Sequence, residues 1–254
     1  MLSRPLSLLT LAGTTAAVAI VGAVTPLSSP AVASAPGPQA SASLLELLTP
    51  QNSQLLLIDH QPQMFFGVNS HDRQLVRNNV EGLSKAAKAF NIPTTLTTVA
   101  SKTFSGPLIP EIADVFPGQT IYDRTSMNSW DDKRVVETIR KNGRKKLVIA
   151  ALWTEVCANL AAIDALKDGY DVYVVTDASG GTTLEAHNMA VERMAQVGVV
   201  PVTWQQVMLE WQRDWANQET YEAVNQIVIE HSGAYGNGVA YAREMFGGSE
   251  GSKD

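Results

Sequence analysis

The sequence is short of cysteine and of clustered charge, and each shortage narrows what it can be. One cysteine, Cys157, occurs in 254 residues. An intramolecular disulfide and a cysteine-rich zinc site are therefore both excluded. Lys and Arg number 19 against 25 Asp and Glu, a net charge of −6, and no long basic run appears. No nucleic acid is expected as the main partner, because phosphate recognition needs a concentrated positive surface. What the chain does have is apolar residues, 45% of the total. That content is too high and too periodic for disorder over most of the length, and it is ample for a buried core.

The first residues read as an export signal. Arg4 precedes an uncharged stretch from Leu6 to Val24, and Ala31-Val32-Ala33 sets small residues before Ser34. This is the pattern of a cleaved signal peptide. The competing reading is a retained membrane anchor, which Gly13, Thr14, Thr15 and Gly22 dilute. The expectation is a signal peptide at 1–33 and a mature chain starting at Ser34, periplasmic or secreted, with no membrane contact after cleavage. Residues 34–48 read as a Pro/Ser/Ala linker, 49–217 as the main domain, and 218–254 as a C-terminal helix and a loose tail.

From Gln54 onward, charge-free apolar runs alternate with amphipathic ones. The runs are Leu55 to Asp59, Thr94 to Val99, Leu147 to Ala151, Val172 to Thr176 and Val199 to Thr203, with a weaker candidate at Thr120-Ile121-Tyr122. Such runs suit strands covered on both faces, as in a parallel sheet. Between them, apolar residues recur at helical spacing over 75–90, 135–139, 156–166 and 189–197. Gly143, Gly169 and Gly198 fall where three of these helices should stop. The pattern predicts an α/β fold, doubly wound in three α/β/α layers.

In such a sheet, sites form at the carboxyl ends of strands. The first strand ends in Asp59-His60-Gln61, and the fourth runs through Ala151-Leu152-Trp153-Thr154-Glu155-Val156-Cys157 into a helix. Thr154 reads as its N-cap and Cys157 as its third residue, where the helix dipole favours a thiolate. A carboxylate beside that thiol could take its proton. The competing reading is a small buried hydrophobe, since free cysteine is among the most buried residue types.

LLLIDHQ at 55–61, ALWTEVC at 151–157 and GYDVYVVTDASGG at 169–181 resemble the isochorismatase-like cysteine hydrolases, and more closely their YcaC-like branch. NSWDD at 128–132 and TWQQVMLEWQRDW at 203–215 resemble that branch too, so the likeness spans about residues 50–217. It implies a six-stranded parallel sheet of order 3-2-1-4-5-6 and a Cys, Asp and Lys triad acting on a small amide or related carbonyl. It maps Asp59 onto the base and Cys157 onto the nucleophile. It assigns the oxyanion to the backbone amides of Trp153 and Cys157, with a cis peptide at Leu152–Trp153, and it implies a ring-like homo-oligomer. The departure is Arg124, where the lysine is expected; arginine can steady charge but cannot shuttle a proton near neutral pH. Lys102 is a candidate stand-in, against the plainer reading of a solvated lysine.

His60 and Trp130 are the candidate substrate-binding residues. Metal-holding relatives use an Asp-x-His motif; His60, His71, His187 and His231 form none, so no metal and no cofactor is expected. His187 reads as a helix-face residue. Asp177 to Gly181 lacks phosphate-loop spacing and reads as a strand-to-helix turn. Ser179 is in no Gly-x-Ser-x-Gly elbow. Trp204, Trp211 and Trp215 share a helix face and suit either core packing or an oligomer contact. Three functions follow in order of support: a metal-independent cysteine hydrolase, a non-catalytic binding or assembly protein on the same fold, and thiol redox chemistry, which lacks a second cysteine to resolve an intermediate.

Overall fold

A computed structural model describes residues 45–247. The expected signal peptide, residues 34–44 of the expected linker and residues 248–254 of the expected tail lie outside the described residues. Six strands, β1 (Ser53–Ile58), β2 (Thr94–Val99), β3 (Ile121–Arg124), β4 (Lys146–Ala151), β5 (Asp171–Val175) and β6 (Val200–Val202), form one sheet in the order 3-2-1-4-5-6. All five pairings are parallel. The expected fold class and strand order are thus observed.

The apolar runs form strands because both faces of the sheet are covered. On one face Leu55, Leu57, Leu96, Val148, Ala150 and Val175 pack under α2 (Arg73–Ala89), α7 (Trp204–Gln212) and α8 (Gln218–His231). On the other, Leu56, Ile58, Leu147, Ile149, Ala151 and Val174 pack under α4 (Lys133–Asn142), α5 (Asn159–Lys167) and α6 (Leu184–Val197). Period-2 alternation within an unbroken apolar run divides one strand between two cores. Short helices α1 (Pro62–Phe66) and α3 (Pro110–Ala113) start at prolines in the loops after β1 and β2. Gly143 and Gly198 end α4 and α6 in the left-handed conformation that glycine adopts without a Cβ clash.

Register sets the site. Ile58 lies opposite Thr97 and Ala151, and Val99 lies opposite Arg124. The carboxyl ends of β1, β3 and β4 therefore finish close together. The weak third candidate runs two residues past Tyr122, so that Arg124 is its last residue.

Three boundaries differ from expectation. Leu48, placed in the linker, is fully buried, its amide N–H donating to Glu210 Oε2 at 2.9 Å; an apolar side chain fills the core there. The loose tail contains helix α9 (Ala234–Phe246). Gly236 serves close approach in it, since a Cβ there would stand 2.3 Å from the Val228 carbonyl oxygen of α8. The third concerns the tryptophans: α7 stops at Gln212, so Trp204 and Trp211 are core residues and Trp215 lies beyond the helix, 41% exposed.

Trp204 also explains a glycine inside α2. A Cβ on Gly82 would stand 2.8 Å from Trp204 Cζ3. Alanine gains about 1 kcal/mol of helix propensity over glycine, whereas overpacking a rigid ring costs about 1–3 kcal/mol. Gly82→Ala is expected to destabilise by about 1 kcal/mol on balance. Urea unfolding checks the sign, and a stabilised variant would show that the indole can yield.

Candidate active site

At the carboxyl edge, three expected residues come together. Asp59 follows β1 with φ of 59°, a left-handed conformation that aspartate tolerates better than most residues. Its Oδ2 accepts a hydrogen bond from Arg124 Nη2 at 2.7 Å, across the end of β2. Arg124 Nη1 donates to the Ser126 carbonyl oxygen, so the guanidinium is held from both ends. Cys157 is 3% exposed, and its thiol faces the Asp59 carboxyl closely enough that each shifts the pKa of the other. Asp59 Oδ1, Arg124 Nε and His60 Nδ1 are buried without a partner of good geometry among the described residues.

The electrostatics of this cluster are set first by burial. Loss of water raises the Asp59 pKa; the Arg124 charge and the Cys157 thiol oppose that rise without cancelling it. Burial, then the charge of Asp59, pushes the Cys157 thiol up to about 12. The helix-dipole expectation of a thiolate is corrected here: one turn of oriented amides does not offset desolvation plus a facing carboxylate. At neutral pH the site holds a protonated thiol beside the Asp59 carboxyl, which the Arg124 guanidinium clamps.

The chain around Cys157 differs from a capped α-helix. Residues Thr154–Ala158 form a wide turn, with the Ala158 N–H reaching the Trp153 carbonyl at 3.3 Å, before α5 continues from Asn159. The Leu152–Trp153 peptide is cis, as the resemblance implied. The Trp153 backbone amide acts to lower the Cys157 pKa, against the larger effect of burial. Thr154 is not the N-cap. Its Oγ1 lies 2.8 Å from His187 Nδ1, a partner on α6 that sequence spacing cannot reveal.

His60 and Trp130 fare differently. His60 is fully buried, with Nε2 donating to the Ala178 carbonyl at 3.0 Å, and burial lowers its pKa to about 4. Its imidazole is neutral. Trp130 does not join the cluster: its indole N–H donates to Asp168 Oδ2 at 3.0 Å, and its ring packs edge-on to Tyr170. Asp168 caps the far end of α5, and that carboxylate draws the indole away from the crevice. Lys102 is exposed, its charge acting on Asp123 rather than on the site. Among the described residues, no group of three or more His, Cys, Asp or Glu is placed to hold a metal ion.

Two supports escaped sequence reasoning. Gln61 donates from Nε2 to the Val99 carbonyl at 3.0 Å and accepts the Val99 N–H at 2.9 Å, fixing the exit of β2 beside β1. Ser179 donates to the Val175 carbonyl at 2.8 Å and accepts the Ala151 N–H at 3.1 Å, tying the ends of β5 and β4. The Asp59-x-Gln61 spacing was visible, but its target on β2 was not.

The geometry yields a signed expectation. Because the Asp59 charge raises the Cys157 pKa, Asp59→Asn should lower it. Thiolate absorbance in the ultraviolet should be absent from the wild type at pH 9, past the free-thiol value of about 8.5, and should appear at lower pH in the variant. Equal titrations, or a wild-type thiolate fully formed near pH 8, would contradict this placement of the thiol.

With that geometry in place, the chain was compared with known proteins. Residues 53–206 match the isochorismatase domain model. The chain is 38% identical over 171 residues to the probable hydrolase YcaC of Escherichia coli strain K12, covering 67% of this chain and 82% of that one. Among solved structures it is similar to Escherichia coli YcaC, described as an octameric hydrolase of unknown specificity. There the TM-score is 0.75 and identity 35%, over 78% of this chain and 97% of that one. It is also similar to YcaC from Pseudomonas aeruginosa with hexane-2,5-diol and covalent acrylamide, at TM-score 0.74 and 34% identity, over 80% of this chain and 98% of that one.

Proposed function

The chain belongs to the isochorismatase family and is a hydrolase of that family, and from that premise we propose that it cleaves a small amide, or a related carbonyl compound, with Cys157 as its nucleophile. The observation that carries this reading is the buried Asp59–Arg124 ion pair, 2.7 Å long, whose charges act on the one thiol of the chain. The covalent acrylamide in the Pseudomonas aeruginosa relative supports a reactive nucleophile in this family, because nucleophiles add to acrylamide at its alkene carbon and leave the amide intact.

In this mechanism Cys157 Sγ attacks the substrate carbonyl carbon while its proton passes to Asp59. A thiol with a pKa near 12 requires that base at the moment of attack. The carbonyl electron pair moves to oxygen, which the N–H groups of Trp153 and Cys157 receive. Collapse expels the amine, which takes the proton back from Asp59, and leaves a thioester on Cys157. Water then gives a proton to Asp59 and its oxygen to the acyl carbon. The departing sulfur recovers that proton, and the acid is released. Arg124 moves no proton, since guanidinium stays charged; it aims Asp59 and offsets its charge. The raised pKa of Asp59 makes the carboxyl a competent acid for the leaving group, so proton transfer does not need the lysine that arginine replaces. His60 contributes a neutral wall whose Nδ1 is an unused acceptor, and Trp130 has no part in the chemistry.

We place the chain in a homo-oligomer, on the octamer described for Escherichia coli YcaC and on the exposure of Trp215, Tyr241, Met245 and Phe246. Light scattering that gives a monomer mass would remove that assignment. For the chemistry, turnover of a panel of small amides is the test. Cys157→Ala should abolish it with the fold intact, and Asp59→Asn should lower kcat by about 10²–10⁴-fold, the usual worth of a positioned base. Arg124→Lys should retain turnover. Undiminished hydrolysis by the Cys157→Ala protein would end the nucleophile assignment, and binding without turnover in the wild type would favour a non-catalytic role.

A further inference from the structure

Beside the reacting groups lies a second set of buried polar side chains that the mechanism does not use. Thr154 opens the turn that carries Cys157, and its Oγ1 sits 2.8 Å from His187 Nδ1. Both residues are buried, at 0% and 4% exposure. The His187 ring meets the His71 ring edge to face, with centroids 4.6 Å apart and planes at 83°. Ser70 Oγ accepts the Gly181 N–H at 2.9 Å and lies 2.8 Å from His71 Nδ1. Its hydroxyl proton is therefore free to go to His71, which leaves that ring neutral.

The neighbouring residue repeats the arrangement. Glu155 Oε1 accepts from Thr182 N at 2.9 Å and from Thr182 Oγ1 at 2.6 Å. Gly181 lies close against both partners: a Cβ there would stand 2.6 Å from Glu155 Oε2 and 3.1 Å from the His187 backbone nitrogen. The first two residues of the wide turn are thus pinned to the start of α6 and, through His71 and Ser70, to the loop after α1. Burial and the facing His71 lower the His187 pKa to about 4, against the pull of Glu155. The contact therefore persists across neutral pH as a bond between neutral groups.

We propose that His187 is a positioning residue for the nucleophile: through its hydrogen bond to Thr154 it fixes the turn so that the Cys157 sulfur stays aligned with Asp59. This rests on the nucleophile reading above. The sulfur is three residues from Thr154 on a turn wider than an α-helix, so its direction depends on how the turn's first residue is held. Displacements of about 1 Å at a reacting atom can cost up to 10²-fold in rate.

The experiment uses acrylamide as probe, with adduct formation on Cys157 followed by intact mass at pH 7.5 and the rate resolved into maximal rate and half-saturation. His187→Ala and Thr154→Val should each lower the maximal rate about tenfold, with half-saturation within twofold of wild type. The double variant should lose no more than either single one, because both remove the same bond. His187→Asn, whose amide overlies the Nδ1 position, should restore most of the rate. Thermal melts identify any variant that fails to fold; Thr154→Val removes the same bond without enlarging a cavity. Full reactivity in folded His187→Ala and Thr154→Val proteins would overturn this inference and leave the nucleophile reading intact, as would strictly additive losses. Absence of a Cys157 adduct in the wild type would overturn both.

Discussion

A carboxylate, a guanidinium and a thiol share one water-poor space at the end of the sheet, and much of the surrounding structure follows from keeping them there. Moving either charge out of water alone costs several kcal/mol, so Asp59 and Arg124 are placed only as a pair. The pair spans β2, because the strand order sets β1 and β3 on either side of it. That requires β3 to extend to Arg124, β2 to end level with β1, and the chain to turn sharply at Asp59. Gln61 meets the second requirement by bonding both backbone groups of Val99. The left-handed conformation of Asp59 meets the third.

The same burial decides the proton inventory. A helix start would favour a thiolate, yet desolvation and the nearby carboxylate outweigh it, and the thiol keeps its proton. The proposed mechanism turns this into an asset: the base that raises the thiol pKa is the one that removes its proton when an electrophile arrives. Replacing the family's lysine by Arg124 then costs little, provided Asp59 carries the proton in both directions. A protonated resting thiol is also a poor target for oxidants, which act on thiolates.

Much of this was legible in the sequence because it depends on local pattern. Five strands stood out as charge-free runs, and three helix ends were marked by Gly143, Gly169 and Gly198. Asp59 and Cys157 were found because sites in parallel sheets gather at strand ends. What local pattern does not reach has non-local causes. Trp130 is close in sequence to Arg124, and its indole is held by Asp168 at the end of another helix. Thr154 had the residue type of an N-cap, and a histidine 33 positions away claimed its hydroxyl. The glycines after Gly233 suggested looseness, yet Gly236 lets two helices approach. The thiol's protonation state was missed because burial comes from the whole core, which no seven-residue window contains.

The central claim is that the amide carbonyl becomes attached to Cys157 before water completes hydrolysis. The most direct measurement is acid-quenched intact mass with peptide mapping during turnover of a small amide, run in parallel with hydroxylamine present. The account predicts a mass gain equal to the acyl group on the Cys157 peptide, and diversion of product to the hydroxamate when hydroxylamine competes with water. Steady turnover with Cys157 unmodified at every quench time and no hydroxamate formed would contradict it, as would an acyl group on any other residue.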